Sequence, residues 1–261
     1  MQHQEFESPI ELCDTIKCFW YNNREFGTQD TDFEVIPDGY AEIIFHFGGA
    51  CSIVDKERGG QPLPSPFIVG LLNQPAVFRS KKRLQIIAVR CFPWTVFDLL
   101  GLAPVKDRVL LFDHPVARLQ PALAELVDTG NIMPAVNLLK QYFLDARARI
   151  TTVDNTLFKA GYAMRDTTGT LTVSQVAAAA HATVRTLQRK FKRSSGYSVK
   201  DVASLMRFEQ VRNHLWLDPD TNLAGLAHML GYSDQAHLSK EFKRFSGTTP
   251  GAFARKSKKK L

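Results

Sequence analysis

Two blocks of the sequence repeat each other: Phe191-Lys192-Arg193-Ser194-Ser195-Gly196 and, 51 residues later, Phe242-Lys243-Arg244-Phe245-Ser246-Gly247. Ahead of each, Leu187 and Phe191, or Leu238 and Phe242, fall at i and i+4, the spacing of one helix face. Packing that pair inward turns Arg185, Gln188, Arg189 and Lys192 outward in the first copy. A guanidinium presents two donors that match guanine O6 and N7, and a carboxamide presents a donor and an acceptor that match adenine N6 and N7. The outward face therefore has the chemistry to read base edges. The neighbouring Lys190, Arg193, Lys243 and Arg244 are suited to phosphate contact or to a solvated charged face.

Such side chains need a scaffold, and the surrounding residues predict one. Before each outward-facing helix lies a short helix with small apolar residues: Val176, Ala177 and Ala180, then Leu226, Ala227 and Leu230. Small residues let the second helix cross closely. The turn between the helices needs positive φ, which Gly231 supplies in the second copy and His181 must supply in the first. Thr183 in one copy, and Ser233 or Asp234 in the other, can cap the second helix. This is a helix-turn-helix pattern, present twice. Between the copies, Val199 to Leu217 reads as a long helix with Val202, Met206 and Leu215 on one side, stopped by Asp218-Pro219-Asp220.

The 261 residues predict two domains. Residues 168–261 hold 16 Lys and Arg against 6 Asp and Glu, whereas residues 1–167 hold 17 against 20. The excess positive charge thus sits in one domain, as expected for a nucleic-acid partner, although a solvated basic face has the same composition. The first ~110 residues alternate apolar runs and turns. Strands are expected at 42–47, 67–69 and 84–89, with Gly59 to Pro66 as a proline-rich loop, which together make a β-barrel or sandwich. Leu119, Leu123 and Leu126, then Ile132, Val136 and Leu139, predict an antiparallel helical pair over 116–149. Residues 165–170 are polar and suit a linker. The expected fold class is α+β: a β-rich domain with a helical appendage (1–165), then an all-α domain of two helix-turn-helix units joined by a long helix (166–261).

Cys13, Cys18, Cys51 and Cys91 form no CxxC pair, and no Cys/His cluster has zinc-ligand spacing, so neither metal nor cofactor is expected. The lone His46 reads as a pocket or core residue. No catalytic constellation stands out: GxSxG, HExxH and a glycine-rich phosphate loop are all missing. No run of about 18 apolar residues predicts a membrane span, and the N-terminal residues lack a signal-peptide pattern. The expected location is the cytoplasm.

The C-terminal residues resemble the AraC/XylS family of bacterial transcription regulators. The likeness covers about 90 residues, through Leu171 to Ala180, Thr183 to Arg193 with Gly196, Arg207, Val211 to Leu215, and above all Leu226 to Phe242 with Gly247-Thr248-Thr249-Pro250. Val199 departs from a common proline, and His181 from a common glycine. The resemblance implies base contacts from Arg185, Gln188 and Arg189, and from Gln235, Ala236, His237 and Lys240. Phosphate contacts are expected from Thr186, Lys190, Lys192, Arg193, Ser239, Lys243 and Arg244. The two reading helices would enter successive major grooves roughly 34 Å apart on a double-stranded operator. Lys256 to Lys260 is expected to be an unstructured basic tail. Pro37-Asp38-Gly39, Gly70 and Phe92-Pro93-Trp94 are similar to the β-rich sensor domains of some such regulators, which implies a small-molecule or protein effector, RNA polymerase as a further partner, and a homodimer through the N-terminal domain. DNA-repair methyltransferases with a like helical domain need Pro-Cys-His, whereas Cys91 sits in Arg-Cys-Phe-Pro. A non-specific DNA-coating protein is the remaining rival.

Overall fold

Strand β4 (Ala41–Gly48) shows why the apolar run after Pro37-Asp38-Gly39 hardly alternates: both its faces are covered. A computed structural model describes residues 2–55, 59–94, 96–102, 104, 109–111, 113–150 and 155–258. The chain divides into two compact units, one of residues 1–35, 40–71 and 76–153, the other of 36–39, 72–75 and 154–261.

In the first unit a six-stranded sheet has the order β1 (Gln2–Glu7), β2 (Ile16–Glu25), β9 (Arg83–Cys91), β4, β7 (Phe67–Val69), β10 (Val109–Leu111). A four-stranded sheet has the order β3 (Thr31–Val35), β8 (Ala76–Ser80), β5 (Cys51–Asp55), β6 (Gly59–Pro62). All neighbouring strands are antiparallel. Two sheets, not one closed barrel, make up the β part among the described residues, which decides between the two expected forms. The strands expected at 42–47, 67–69 and 84–89 are β4, β7 and β9. The expected loop at 59–66 is corrected in part, because its first four residues form β6. As an edge strand, β6 tolerates Pro62, whose missing N–H interrupts no inner ladder.

Side chains alternate across the large sheet. Phe19, Phe45 and Val89 face one way, into a core completed by α1 (Val96–Leu100), α2 (Gln120–Asp128) and α3 (Ile132–Ala148). On the helices the fully buried stripe is Leu123, Val127, Val136, Leu139 and Phe143, while Leu119, Leu126 and Ile132 pack at its margin. Residues 116–149 thus hold the expected helical pair, with its apolar face laid on the sheet. His46 belongs to this frame: its ring nitrogen lies 3.0 Å from the Leu63 carbonyl, and burial lowers its pKa.

The second unit is helical: α4 (Asn155–Asp166), α5 (Val173–Ala179), α6 (Val184–Ser195), α7 (Val199–Leu217), α8 (Leu223–Met229), α9 (Gln235–Ser246) and α10 (Pro250–Lys258). Residues 165–170 are no free linker. They are the end of α4 and a turn closed by backbone bonds such as Gly169 to Met164, 2.8 Å. The α4 helix packs on α5 and α6. The α7 helix buries Val202, Leu205, Phe208 and Val211, residues on more than one side, so it is a central strut and not the one-sided helix expected. Residues 256–258, expected in a tail, form the last turn of α10, where the Ser257 side chain is buried; residues 259 and 260 lie outside the described residues. No described helix is long and apolar enough to cross a membrane.

Candidate nucleic-acid interface

The two helix-turn-helix units are built by the same local bonds at matching places. Helix α5 starts with a capping box, in which Thr172 Oγ1 accepts from the Gln175 amide and Gln175 Oε1 accepts from the Thr172 amide. Asn222 caps α8 through its side-chain oxygen. Both helices end in a turn whose middle residue has positive φ, His181 at 50° and Gly231 at 73°. The next amides, Ala182 and Tyr232, reach back to Ala177 and Ala227, each at 2.9 Å. The strained-side position predicted from sequence is thus occupied by a histidine in one copy and glycine in the other. The open choice of second cap resolves to Asp234, which accepts from the His237 amide at 2.7 Å. Thr183 does the same for Thr186, at 3.1 Å.

The duplicated block proves to be mainly architecture. Phe191 and Phe242 are buried. Ser195 and Ser246 are buried too, and each donates to the carbonyl four residues back, Phe191 or Phe242, at 2.8 Å. Gly196 and Gly247 close the helices in the left-handed region, at φ 76° and 71°. Of the repeat's side chains only those of Lys192, Arg193, Lys243 and Arg244 are exposed. The repeat therefore records where two helices end, and the outward chemistry lies one to two turns earlier.

On α6, Arg185 and Arg189 are exposed, Gln188 and Thr186 half-buried, and Leu187 buried beneath them. Lys190 is half-buried and turned to α4, with its ammonium donating to Thr156 Oγ1 at 2.9 Å. On α9, Gln235, Ala236, His237 and Lys240 are exposed over buried Leu238, and Ser239 is half-buried. The His237 ring meets Tyr232 edge-on at 5.3 Å and lies 3.1 Å from Ser233 Oγ. Both α6 and α9 pack on α7. Each thus presents a capped, anchored face of exposed donors, with a positive balance fixed by arginine and lysine.

A polar cluster beneath α9 escaped the sequence reading. Arg207 of α7 donates to the Gly169 carbonyl (2.9 Å) and Ser204 Oγ (3.1 Å), stacks its guanidinium over Tyr232 (5.2 Å), and lies 3.6 Å from Glu241 of α9. The two side chains are only 12% and 10% exposed. Burial raises the Tyr232 hydroxyl pKa well above its usual range, so the ring stays neutral. This group ties α9, its preceding turn and the turn after α4 to the strut. Glu241 was legible as the single acid inside a basic helix.

Residues 176–256 match a family model described as Helix-turn-helix domain. Residues 4–108 match one described as Domain of unknown function (DUF6597). No curated protein matches the chain significantly. Among solved structures, the chain is similar to ToxT from Vibrio cholerae, at 11% identity and TM-score 0.47, covering 91% of this chain and 98% of that one. It is also similar to an AraC-type transcriptional regulator from Chromobacterium violaceum (19%, TM-score 0.36, 39% and 91% covered). The C-terminal domain of AraT, a response regulator from Geobacillus stearothermophilus, is similar at 21% identity and TM-score 0.36, covering 41% and 88%.

Proposed function

We propose that the chain is a transcription regulator of the AraC type that reads two adjacent major-groove half-sites of a double-stranded operator, a reading supported by the match of residues 176–256 to a helix-turn-helix domain. The observation that carries this reading is the pair of exposed faces on α6 and α9, built by matching caps and turns and mounted on one strut. In this reading Arg185, Gln188 and Arg189 take the bases of one half-site, and Gln235, Ala236, His237 and Lys240 those of the other. Thr186, Lys192, Arg193, Ser239, Lys243 and Arg244 take phosphates. Lys190 joins them only by leaving Thr156.

Residues 166–261 carry the DNA reading and residues 1–165 the response to an effector, with α4 mechanically part of the DNA-binding body because it packs on α5 and α6. RNA polymerase is the further partner. A homodimer would form through the first unit, using surfaces other than the buried leucines of α2 and α3.

The test uses a duplex enriched from random sequence by the full-length chain. Arg189→Ala lowers affinity for that duplex by about 10- to 100-fold, because a bidentate base contact is worth roughly 1–3 kcal/mol, and affects random DNA less than threefold. Equal losses on both would demote Arg189 to a backbone contact. A wild-type chain that enriches no sequence at all would establish the non-specific coating protein instead.

A further inference from the structure

Between the two sheets of the first unit lies a cavity of about 210 Å³. Its walls are the face of the large sheet turned away from the helical pair and the side of the small sheet that faces it, and they are almost wholly apolar. The rings of Phe26, Phe33, Phe78 and Phe67 follow one another at 5.4, 5.9 and 6.4 Å, tilted from their neighbours by only 21–30°. This makes a ladder of near-parallel faces that runs from Phe33 and Phe78 of the small sheet to Phe67 of the large one, with Trp20 and Ile86 of the large sheet also among the lining residues. A smaller apolar cavity of about 150 Å³ stays dry and binds benzene, so this one has room for a substituted ring.

The polar groups on the wall are unequal. Glu42 is already engaged: Arg90 Nε donates to it at 2.8 Å and the Trp20 indole N–H at 3.1 Å. Burial pushes the Cys51 thiol up to about 11, so it stays neutral. Arg24 differs. It is exposed, its guanidinium lies over Phe26 (4.6 Å) and Phe33 (5.7 Å), and among the described residues it has neither an ion pair nor a side-chain hydrogen bond. A slot of aromatic faces that ends at an uncommitted guanidinium favours a flat apolar body with one anionic end. Asn22, two residues away on the same face of β2, adds a second donor.

We propose that this cavity binds an aromatic monocarboxylate, with its ring in the phenylalanine slot and its carboxylate on Arg24. The regulatory consequence rests on the reading of the first unit as effector-responsive, whereas binding itself does not. The experiment titrates the full-length chain with 4-tert-butylbenzoate, its neutral carboxamide and octanoate, followed by calorimetry and by the change in tryptophan emission that is lost in Trp20→Phe. Benzoate is expected to bind at least tenfold tighter than either comparison probe. Arg24→Gln, a change at an exposed side chain, brings benzoate down to the carboxamide and leaves the carboxamide unchanged. Ile86→Phe fills the slot and removes binding of all three while the melting temperature holds.

Equal affinity of acid and amide, an acid preference that survives Arg24→Gln, octanoate binding as tightly as benzoate, or no benzoate binding at millimolar concentration would each overturn the assignment. Duplex affinity, measured in the same samples, separates the two readings. If benzoate binds as described and duplex affinity does not move, the site stands and the effector-responsive role of the first unit falls.

Discussion

Replacing Arg207 by methionine keeps an unbranched apolar stem and removes the guanidinium with its charge, which makes it the sharpest probe of how α9 is held. The substitution deletes the bonds to the Gly169 carbonyl and Ser204, removes the contact with the Tyr232 ring, and leaves Glu241 nearly buried without its cation. Removing one partner of a buried ion pair costs about 3–5 kcal/mol. The 3.6 Å separation exceeds hydrogen-bonding range, and Glu241 Oε1 has no hydrogen-bond partner among the described residues, which argues for the lower end. Two units need not unfold together, so a single melting curve would blur the effect. Hydrogen exchange resolved to the amides of Leu238 and Phe242 reads α9 directly. About 3 kcal/mol corresponds to a loss of protection of roughly 100-fold there. Arg207→Met combined with Glu241→Gln should recover part of that loss, because no unpaired charge remains. Protection within threefold of wild type in Arg207→Met would refute the argument, and so would simple addition of the two single effects.

Gly169→Ala should destabilise the helical unit by more than about 2 kcal/mol, because φ is +79° and the new Cβ would stand 2.4 Å from the Ala203 carbonyl oxygen; Gly130→Ala, also at positive φ but in open space, should cost the first unit only about 1–2 kcal/mol. Chemical denaturation of each variant checks the contrast. Lys243→Ala should lower affinity alike for selected and random duplexes and reduce the slope of log K against log salt by about 0.9, read from titrations at several salt concentrations. Burial holds the pKa of His46 and His114 below the ordinary 6.5, so the unfolded chain takes up protons first. Stability of the first unit is therefore full above about pH 6.5 and declines as pH falls towards the folded values; His46→Gln should flatten that decline in melting experiments between pH 7.5 and 5.

Local rules made the C-terminal half readable. The long helix at 199–217, the positive-φ turns at His181 and Gly231, and the inward Leu187, Phe191, Leu238 and Phe242 all follow from 3.6-residue periodicity, steric limits on φ and the capping preferences of short polar side chains. Each depends on neighbours within a turn or two, so the sequence by itself determined them. The strands at 42–47, 67–69 and 84–89 were legible for the same reason, as apolar runs bounded by turns.

What tertiary structure alone decided are the partners of groups distant in sequence. Barrel and two-sheet forms share one strand pattern, and only the pairing order separates them. The polar stretch at 165–170 looks like a linker until Gly169 is seen seated against α7, and the basic residues 256–258 look like a tail until α10 packs on that same helix. Likewise, Arg207 and Glu241, 34 positions apart, become a pair only when α7 and α9 cross, and Glu42 finds its cation only because β9 lays Arg90 beside it. Burial removes water as a competing partner, so the meaning of each such charge is set by what the fold brings beside it.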